Sequence, residues 1–330
     1  MKKPSIKDVA ALAGVSPTTV SQVLNKRNDH FPPETVARVM AAQQELGYVP
    51  NQSAKSLRGN ANPMIGVLVP SLRNPFFADL MQSMQAHAHG IADLIFFSAA
   101  DDEIEQGILT LIGRGVNGLV IARMLPNALD VADYLAKQHV PYVVLDQTNS
   151  EAITDSVKTE EYQGGQAVAE HLLALGHQKL AVVKPDLMTE NMQERFNGFM
   201  ESLPVDVTVN EFKTRLSKHG GLAISHRVAD SLATAVFVLN DEMAIGVLRG
   251  LKDSGIQVPE QISVVGYDNT DYAEFTVPSL TTVTQPVWRM GQVALDMILA
   301  RLKDPTLPQQ VLRLETKLIV RESTANRITK

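Results

Sequence analysis

In the second part of this chain, short apolar runs are each followed by residues built for hydrogen bonding. Ser71 and Asn74-Pro75-Phe76-Phe77 follow Ile65–Val69, Asp101-Asp102 follow Leu94–Phe97, and Asp146-Gln147 follow Tyr142–Leu145. Further on come Thr189 to Arg195, Asn240-Asp241, Asp268-Asn269 and Gln285. Carboxylates accept from hydroxyls, amides do both, Arg grips two oxygens at once, and aromatic rings cover C–H faces. That mixture suits a hydroxyl-rich small molecule. Taken singly, each Asp or Asn has a plainer reading as a helix N-cap. Asp102 and Glu103 fit that reading, and Asp241 reads as the cap of the helix after it. Phe76 and Phe77 open a helix and are equally placed to be core.

The start of the chain carries a different chemistry. Ser5-Ile6-Lys7-Asp8 is a capping box, with Ile6, Val9, Ala10 and Ala13 at helical spacing and Gly14 at the stop. Ser16 then caps a second helix with Pro17 at its first position. Two short helices joined by Gly14-Val15-Ser16 make a helix-turn-helix, a turn that lets the second helix enter a major groove. Thr18, Ser21 and Gln22 share its polar side, while Val20, Val23 and Leu24 point inward. A third helix over Pro33–Leu46, ended by Gly47, brings Val36, Val39, Met40 and Leu46 against the first two. A three-helix bundle with no DNA role has the same pattern.

The elements that must position the ligand residues alternate. Apolar runs (also Gly118–Ala122, Leu180–Val183, Ala235–Leu239 and Ser263–Tyr267), with Lys317–Val320 as the last strand-like segment, are separated by helical patterns such as Pro75–Ala88, Glu103–Ile112, Gln163–Leu175, Glu242–Lys252 and Trp288–Leu302. This alternation builds parallel sheets with helices on both faces, and so many units imply two lobes. Ligands of such sheets bind beyond the carboxyl ends of the strands, where the polar residues fall. The net charge is −6. Residues 1–60 hold eight Lys/Arg against four acids, which is +4 and leaves −10 for the rest. A basic head on an acidic body is the asymmetry of a chain with one part meeting phosphate.

Other classes are disfavoured. The chain has no cysteine, so disulfides and thiolate sites are excluded. It has no Walker loop, G-x-S-x-G elbow, H-E-x-x-H or Rossmann glycine fingerprint, so no enzymatic role is expected, and no cofactor or metal. His177 reads as structural. Lys7 and Asp8 interrupt what would be the apolar core of a signal peptide after Met1-Lys2-Lys3, and a cytoplasmic address is expected.

Ile6-Lys7-Asp8-Val9-Ala10, Ala13-Gly14-Val15-Ser16, Thr19-Val20-Ser21 and Val23-Leu24-Asn25 together resemble the headpiece of the LacI/GalR regulators. Glu45-Leu46-Gly47-Tyr48, Pro50-Asn51 and Ala54-Lys55-Ser56-Leu57 continue the likeness. In the body, Asn74-Pro75-Phe76-Phe77, Leu145-Asp146, Gly176-His177, Glu194–Phe199, Asn240–Ala244, Gly266-Tyr267-Asp268 and Gln285-Pro286 look like the same family, so the resemblance spans nearly the whole chain. It implies an all-α helix-turn-helix headpiece plus a two-lobed, doubly wound α/β core of periplasmic-binding-protein type.

Carried over by position, the likeness makes Pro17, Thr18 and Gln22 base-facing and Thr19, Ser21 and Asn25 phosphate contacts. Ser5 and Ser16 at the N-caps, and Asn51, Ala54 and Lys55 of a hinge helix over about 51–58, join the DNA-facing set. Leu57 becomes an apolar wedge in the minor groove, where a kinked base step needs such a side chain. The same likeness nominates Phe76, Phe77, Asp146, Arg195, Asn240, Asp268 and Gln285 for an effector pocket, with Arg195 and Asp268 facing each other across the cleft.

The implied domains are residues 1–59 and 60–330. The core divides into one subdomain of about 62–158 with 287–315, and a second of about 159–286 with 316–330. Implied partners are operator DNA, a sugar effector and a second copy of the chain. A phosphocarrier co-effector stays open. Two departures stand out. Gln22 replaces the family's common Arg, and Asn28-Asp29-His30-Phe31 lengthens the loop before the third helix. The run Gln193–Gly198 leans toward ribose-type members, although a purine, pentose or hexose satisfies the same polar set. A sugar-binding protein without a DNA role is the rival that shares the core.

Overall fold

The computed structural model describes residues 4–25, 28, 30–48, 62–99, 103–122, 125, 128–145 and 154–327. The chain divides into two units, residues 1–62 and 63–330.

The first unit is a three-helix bundle: α1 (Ile6–Ala13), α2 (Pro17–Leu24) and α3 (Pro33–Leu46). Asp8 reaches back to the Ser5 amide at 2.7 Å, and Gly14 closes α1 at φ +67°, where a side chain would be strained. Ser16 Oγ accepts from the Thr19 amide at 3.0 Å and starts α2. Val9, Ala10, Ala13, Val20, Val23, Val39 and Ala42 form the core. Met40, expected inside, is instead half exposed. A residue one step past Val39 is turned about 100° away from it, and the face is completed by Ala42, three residues on.

The second unit contains two six-stranded sheets. The first takes β1 (Met64–Val69), β2 (Asp93–Ser98), β3 (Gly118–Ile121), β4 (Tyr142–Leu145), β5 (Asp155–Thr159) and β11 (Val311–Leu314), in the order β11-β5-β4-β3-β1-β2. All its pairings are parallel. Side chains alternate: Ile65, Val67 and Val69 pack with α4 (Pro75–His87) and α12 (Val287–Lys303), whereas Leu68 packs with α5 (Ile104–Gly113) and α6 (Ala128–Lys137). Helices therefore cover both faces.

The second sheet takes β6 (Lys179–Pro185), β7 (Thr208–Thr214), β8 (Ala235–Val238), β9 (Ser263–Asp268), β10 (Thr281–Thr284) and β12 (Lys317–Ile319), in the order β12-β10-β9-β8-β6-β7. Its one antiparallel pairing is β10 with β12. Helices α7 (Glu161–Ala174), α8 (Glu190–Glu201), α9 (Lys218–Asp230) and α10 (Asp241–Asp253) contribute to its core, and α11 (Asp271–Phe275) is a single turn.

Four strands are absent from the apolar pattern, each for a physical reason. β7 and β11 are edge strands with exposed alternate residues. β10 is Thr281-Thr282-Val283-Thr284, with threonine hydroxyls meeting internal partners. β5 buries Asp155, whose carboxylate Arg301 of α12 grips at 2.7–3.0 Å.

The chain crosses between the two sheets three times: after β5, after β10, and between β11 and β12. The crossings are tied together. Thr159 Oγ1 donates to Glu161 at 2.9 Å and lies 3.5 Å from Gln285 Oε1, while Thr316 Oγ1 donates to the Glu160 carbonyl at 3.0 Å.

Candidate functional site

Between the two sheets of the second unit lies a cleft of about 710 Å³, beyond the carboxyl ends of β1, β3, β4, β6, β8, β9 and β10. From the first lobe it is lined by Ser71, Asn74, Phe76 and Phe77. From the second come Arg195, Arg215, Asn240, Glu242 and Asp268, and Gln285 stands at a crossing. Six of the seven residues named for the pocket thus line one cavity. The seventh, Asp146, follows cleft-lining Leu145 but lies outside the described residues, as does Asp101.

Its inner wall is a buried polar network. Arg195 donates through Nε to Glu161 Oε2 at 2.9 Å and through Nη2 to Oε1 at 3.1 Å, and Nη1 donates to the Leu239 carbonyl. Both side chains of this pair are 1% exposed. The guanidinium carbon sits 3.4 Å from the Tyr267 ring centroid, a stacking that holds its plane. Burial opposes the Arg195 charge, but Glu161, Tyr267 and Asp268 outweigh it and raise its pKa.

Asp268 Oδ1 accepts from Gln285 Nε2 at 2.7 Å and lies 3.7 Å from Arg195 Nη1. Burial pushes the Asp268 carboxyl well above the usual range. Arg195 pulls it back, Asp241 and Glu161 push it further, and the Gln285 hydrogen bond lowers it. Its backbone sits at φ +110°, and Asn269 follows at φ +52°. Such backbone costs about 1–3 kcal/mol per residue and persists only where surroundings enforce it. Here Arg321 and Thr284 hold the Asn269 side chain at 2.7 and 3.3 Å.

Two expectations need correction. Arg195 and Asp268 do not face each other across the cleft: both belong to the second lobe, because α8 and β9 pack in the same core. Asp241 does not cap its helix. Asn240 does, accepting from the Met243 amide at 3.0 Å while still lining the cleft. Asp241 is fully buried and accepts from the Thr270 amide and hydroxyl at 2.7 and 3.2 Å and from the Thr282 hydroxyl at 2.7 Å. Burial pushes its pKa up to about 6, against those hydrogen bonds. Glu103 occupies the cap position of α5 without a side-chain cap bond.

Phe76 and Phe77 prove to be both wall and core. Half-buried and edge-to-face at 5.1 Å, they pack on the first lobe's core and line the cleft. Sequence reasoning missed Glu161. In Glu160-Glu161 at a helix start, an acid reads as a partner of the helix dipole, and only the fold brings Arg195 to it.

In the first unit, Pro17, Thr18 and Gln22 are exposed on α2, and Thr19 and Ser21 are half-buried beside them. Asn25 is exposed and turns its Nδ2 back to the Ser21 carbonyl at 2.7 Å. Ser5 and Ser16 serve as caps. Asn51, Ala54, Lys55 and Leu57 lie outside the described residues.

A helix-turn-helix unit joined to a two-sheet core with a polar cleft defines a DNA-binding transcription regulator of the ligand-responsive class. The model of bacterial regulatory proteins of the lacI family matches residues 5–51, and a periplasmic binding protein-like domain matches residues 169–324. The HTH-type transcriptional repressor PurR of Photobacterium profundum is 32% identical over 97% of this chain and 98% of that protein. A LacI family regulator from Enterococcus faecium, solved with bound ribose, is 38% identical with a TM-score of 0.75, covering 80% of this chain and 99% of that one. The lac repressor dimer bound to operator and an anti-inducer is 29% identical with a TM-score of 0.84, covering 98% and 100%. The chain belongs to the LacI family of bacterial transcription regulators. Among the described residues no helix is long and apolar enough to cross a membrane.

Proposed function

We propose that the chain is a cytoplasmic repressor that binds a pseudo-palindromic operator as a homodimer and is controlled by a sugar, a pentose of the ribose type. The observation that carries the effector assignment is the meeting of Arg195, Asn240, Asp268 and Gln285 with Phe76 and Phe77 in one cleft. Ring hydroxyls pair with the polar groups and C–H faces with the aromatic rings. The likeness to a regulator solved with ribose supports it.

In this reading residues 1–59 hold the DNA. The core comprises one subdomain of about 62–158 with 287–315 and another of about 159–286 with 316–330. Pro17, Thr18 and Gln22 meet bases, Thr19, Ser21 and Asn25 meet phosphates, Ser5 and Ser16 join the DNA-facing set at the N-caps, and Asn51, Ala54, Lys55 and Leu57 serve the hinge. Asp146 completes the pocket. Effector-driven closure of the lobes shifts DNA affinity, and the reverse holds by linkage, a coupling of about 1–3 kcal/mol.

A second reading, a purine effector, is favoured by full-length similarity to purine-named repressors. Operator binding titrated with pentoses, hexoses, their phosphates and purine bases separates the two. A shift with a pentose alone supports the first, and a shift with a purine base alone replaces it.

A further inference from the structure

The inner end of the cleft contains a cation that is already spoken for. Arg195 is the one buried cation among the described lining residues, and Glu161 takes it bidentately from the side away from the ligand space. Of its five N–H groups, three are engaged by Glu161 and the Leu239 carbonyl. What remains for a ligand is a hydrogen-bond donor with its charge cancelled.

The rest of the wall leans acidic. Asp186, Glu190, Glu242 and Asp268 line the cleft against Arg195 and Arg215. Arg215 is exposed at the mouth, where water and salt screen it. Glu242 stands 3.3 Å from Lys218, which spends that cation too.

Phosphate has a second common receptor, the unpaired amides at a helix N-terminus. Three helices have their first-turn residues on this cleft, and each sets a side-chain acceptor or an acidic side chain beside its amides. Asn74 takes the Phe76 amide at the start of α4, and Asn240 takes the Met243 amide at the start of α10. The first turn of α10 carries Asp241 and Glu242 as well, and α8, whose cap residue Thr189 makes no side-chain cap bond, opens on Glu190, which opposes an anion by charge.

We propose that Glu161 makes this cleft selective for uncharged, hydroxyl-rich ligands: it cancels Arg195 from behind, so a free sugar enters while its phosphorylated form is refused. The inference rests on the effector assignment above and adds to it the charge class of the ligand and the residue that sets it. Glu161 is a specificity determinant that reaches the ligand through Arg195.

The test is calorimetry on the full-length protein with three pairs of probes: ribose and ribose 5-phosphate, glucose and glucose 6-phosphate, inosine and inosine monophosphate. In whichever pair binds, the neutral member should bind at least a hundredfold more tightly. Glu161→Gln should shrink that ratio at least tenfold, by improving the phosphorylated member relative to the neutral one. Asp268→Asn, close to isosteric, should move the ratio the same way and serves if the first variant does not fold.

A wild-type protein that binds a phosphorylated probe as tightly as its neutral partner would overturn the inference while leaving a sugar effector in place. A ratio unchanged in Glu161→Gln would remove Glu161 from its role, and one unchanged in Asp268→Asn would remove the acidic wall from the selection. Binding of inosine and of neither sugar, with inosine monophosphate refused, would overturn the sugar reading and uphold charge selection. Binding of no probe would overturn both.

Discussion

The side-chain amide of Gln285 donates to Asp268 Oδ1 at 2.7 Å, joining the last residue of β9 to the point where the chain leaves the second lobe for α12. Through Thr159, 3.5 Å from Gln285, the same contact touches the crossing after β5. A ligand group that displaces or reinforces it therefore acts on the hinge itself. Gln285→Ala removes a hydrogen bond to a carboxylate, worth about 1.5–3 kcal/mol. The effector should bind roughly tenfold or more weakly. Operator binding by the unliganded protein should change far less than effector affinity, as a titration with and without effector will show.

The buried pair of Arg195 and Glu161 should be costly to break on one side only. Arg195→Met strands a carboxylate at 1% exposure and should cost about 3–5 kcal/mol in urea unfolding. Adding Glu161→Gln should recover much of that loss, because the uncompensated charge is gone. Strictly additive losses would mean that the two residues do not act as a pair.

Helices α7 and α8 touch backbone to backbone at two glycines. A methyl on Gly198 would collide with the Tyr162 carbonyl, and one on Gly165 with the Arg195 carbonyl. Gly198→Ala should force the helices apart, cost about 1–3 kcal/mol, and loosen the effector because Arg195 rides on α8. Gly113→Ala, which meets open space at a helix end, should cost no stability and leave effector affinity unchanged.

His177 is 3% exposed, with Nδ1 2.9 Å from Thr234 Oγ1 and Nε2 3.2 Å from the Ala325 carbonyl. Burial, the largest cause, lowers its pKa, and burial lowers that of His171 as well. Below the ordinary value of 6.5 the unfolded chain takes up protons that the folded chain refuses. The stability linked to these two groups is thus complete above that pH and is lost as pH falls beneath it. His177→Gln should flatten the fall of the thermal midpoint between about pH 7 and pH 5, its amide serving both oxygens without gaining charge.

Gln22 is exposed on α2, among the residues proposed above to face the bases. Gln pairs with adenine N6 and N7, whereas Arg pairs with guanine O6 and N7, a discrimination of about 1–3 kcal/mol. Selection from random DNA should return A·T at that base pair, and Gln22→Arg should shift it to G·C. An affinity gain on all sequences alike, with steeper salt dependence, would instead mean contact with phosphate.

Capping residues, glycine stops and the two hydrophobic periods act within a few residues, so they were legible in the sequence. Ser5, Ser16, Gly14 and Gly47 mark α1 to α3, and the apolar runs mark seven of the twelve strands. The last, β12, was legible as the strand-like segment Lys317–Val320. The polar residues after the strands carried the cleft in outline, because parallel topology sends every strand's carboxyl end toward the same opening. The rest depends on contacts between distant segments.

Asp155 sits in a buried strand because Arg301, 146 positions away, pairs with it, and no local pattern announces that. Asn240 and Asp241 are both acceptors at a helix start. Which one caps the helix and which turns to Thr270 and Thr282 was decided by what β9 and β10 bring beside them. Glu161 and Arg195 are 34 residues apart on two helices, and either alone reads as a solvated charge. Only the glycine-mediated approach of those helices buries them together, where the loss of water makes pairing obligatory.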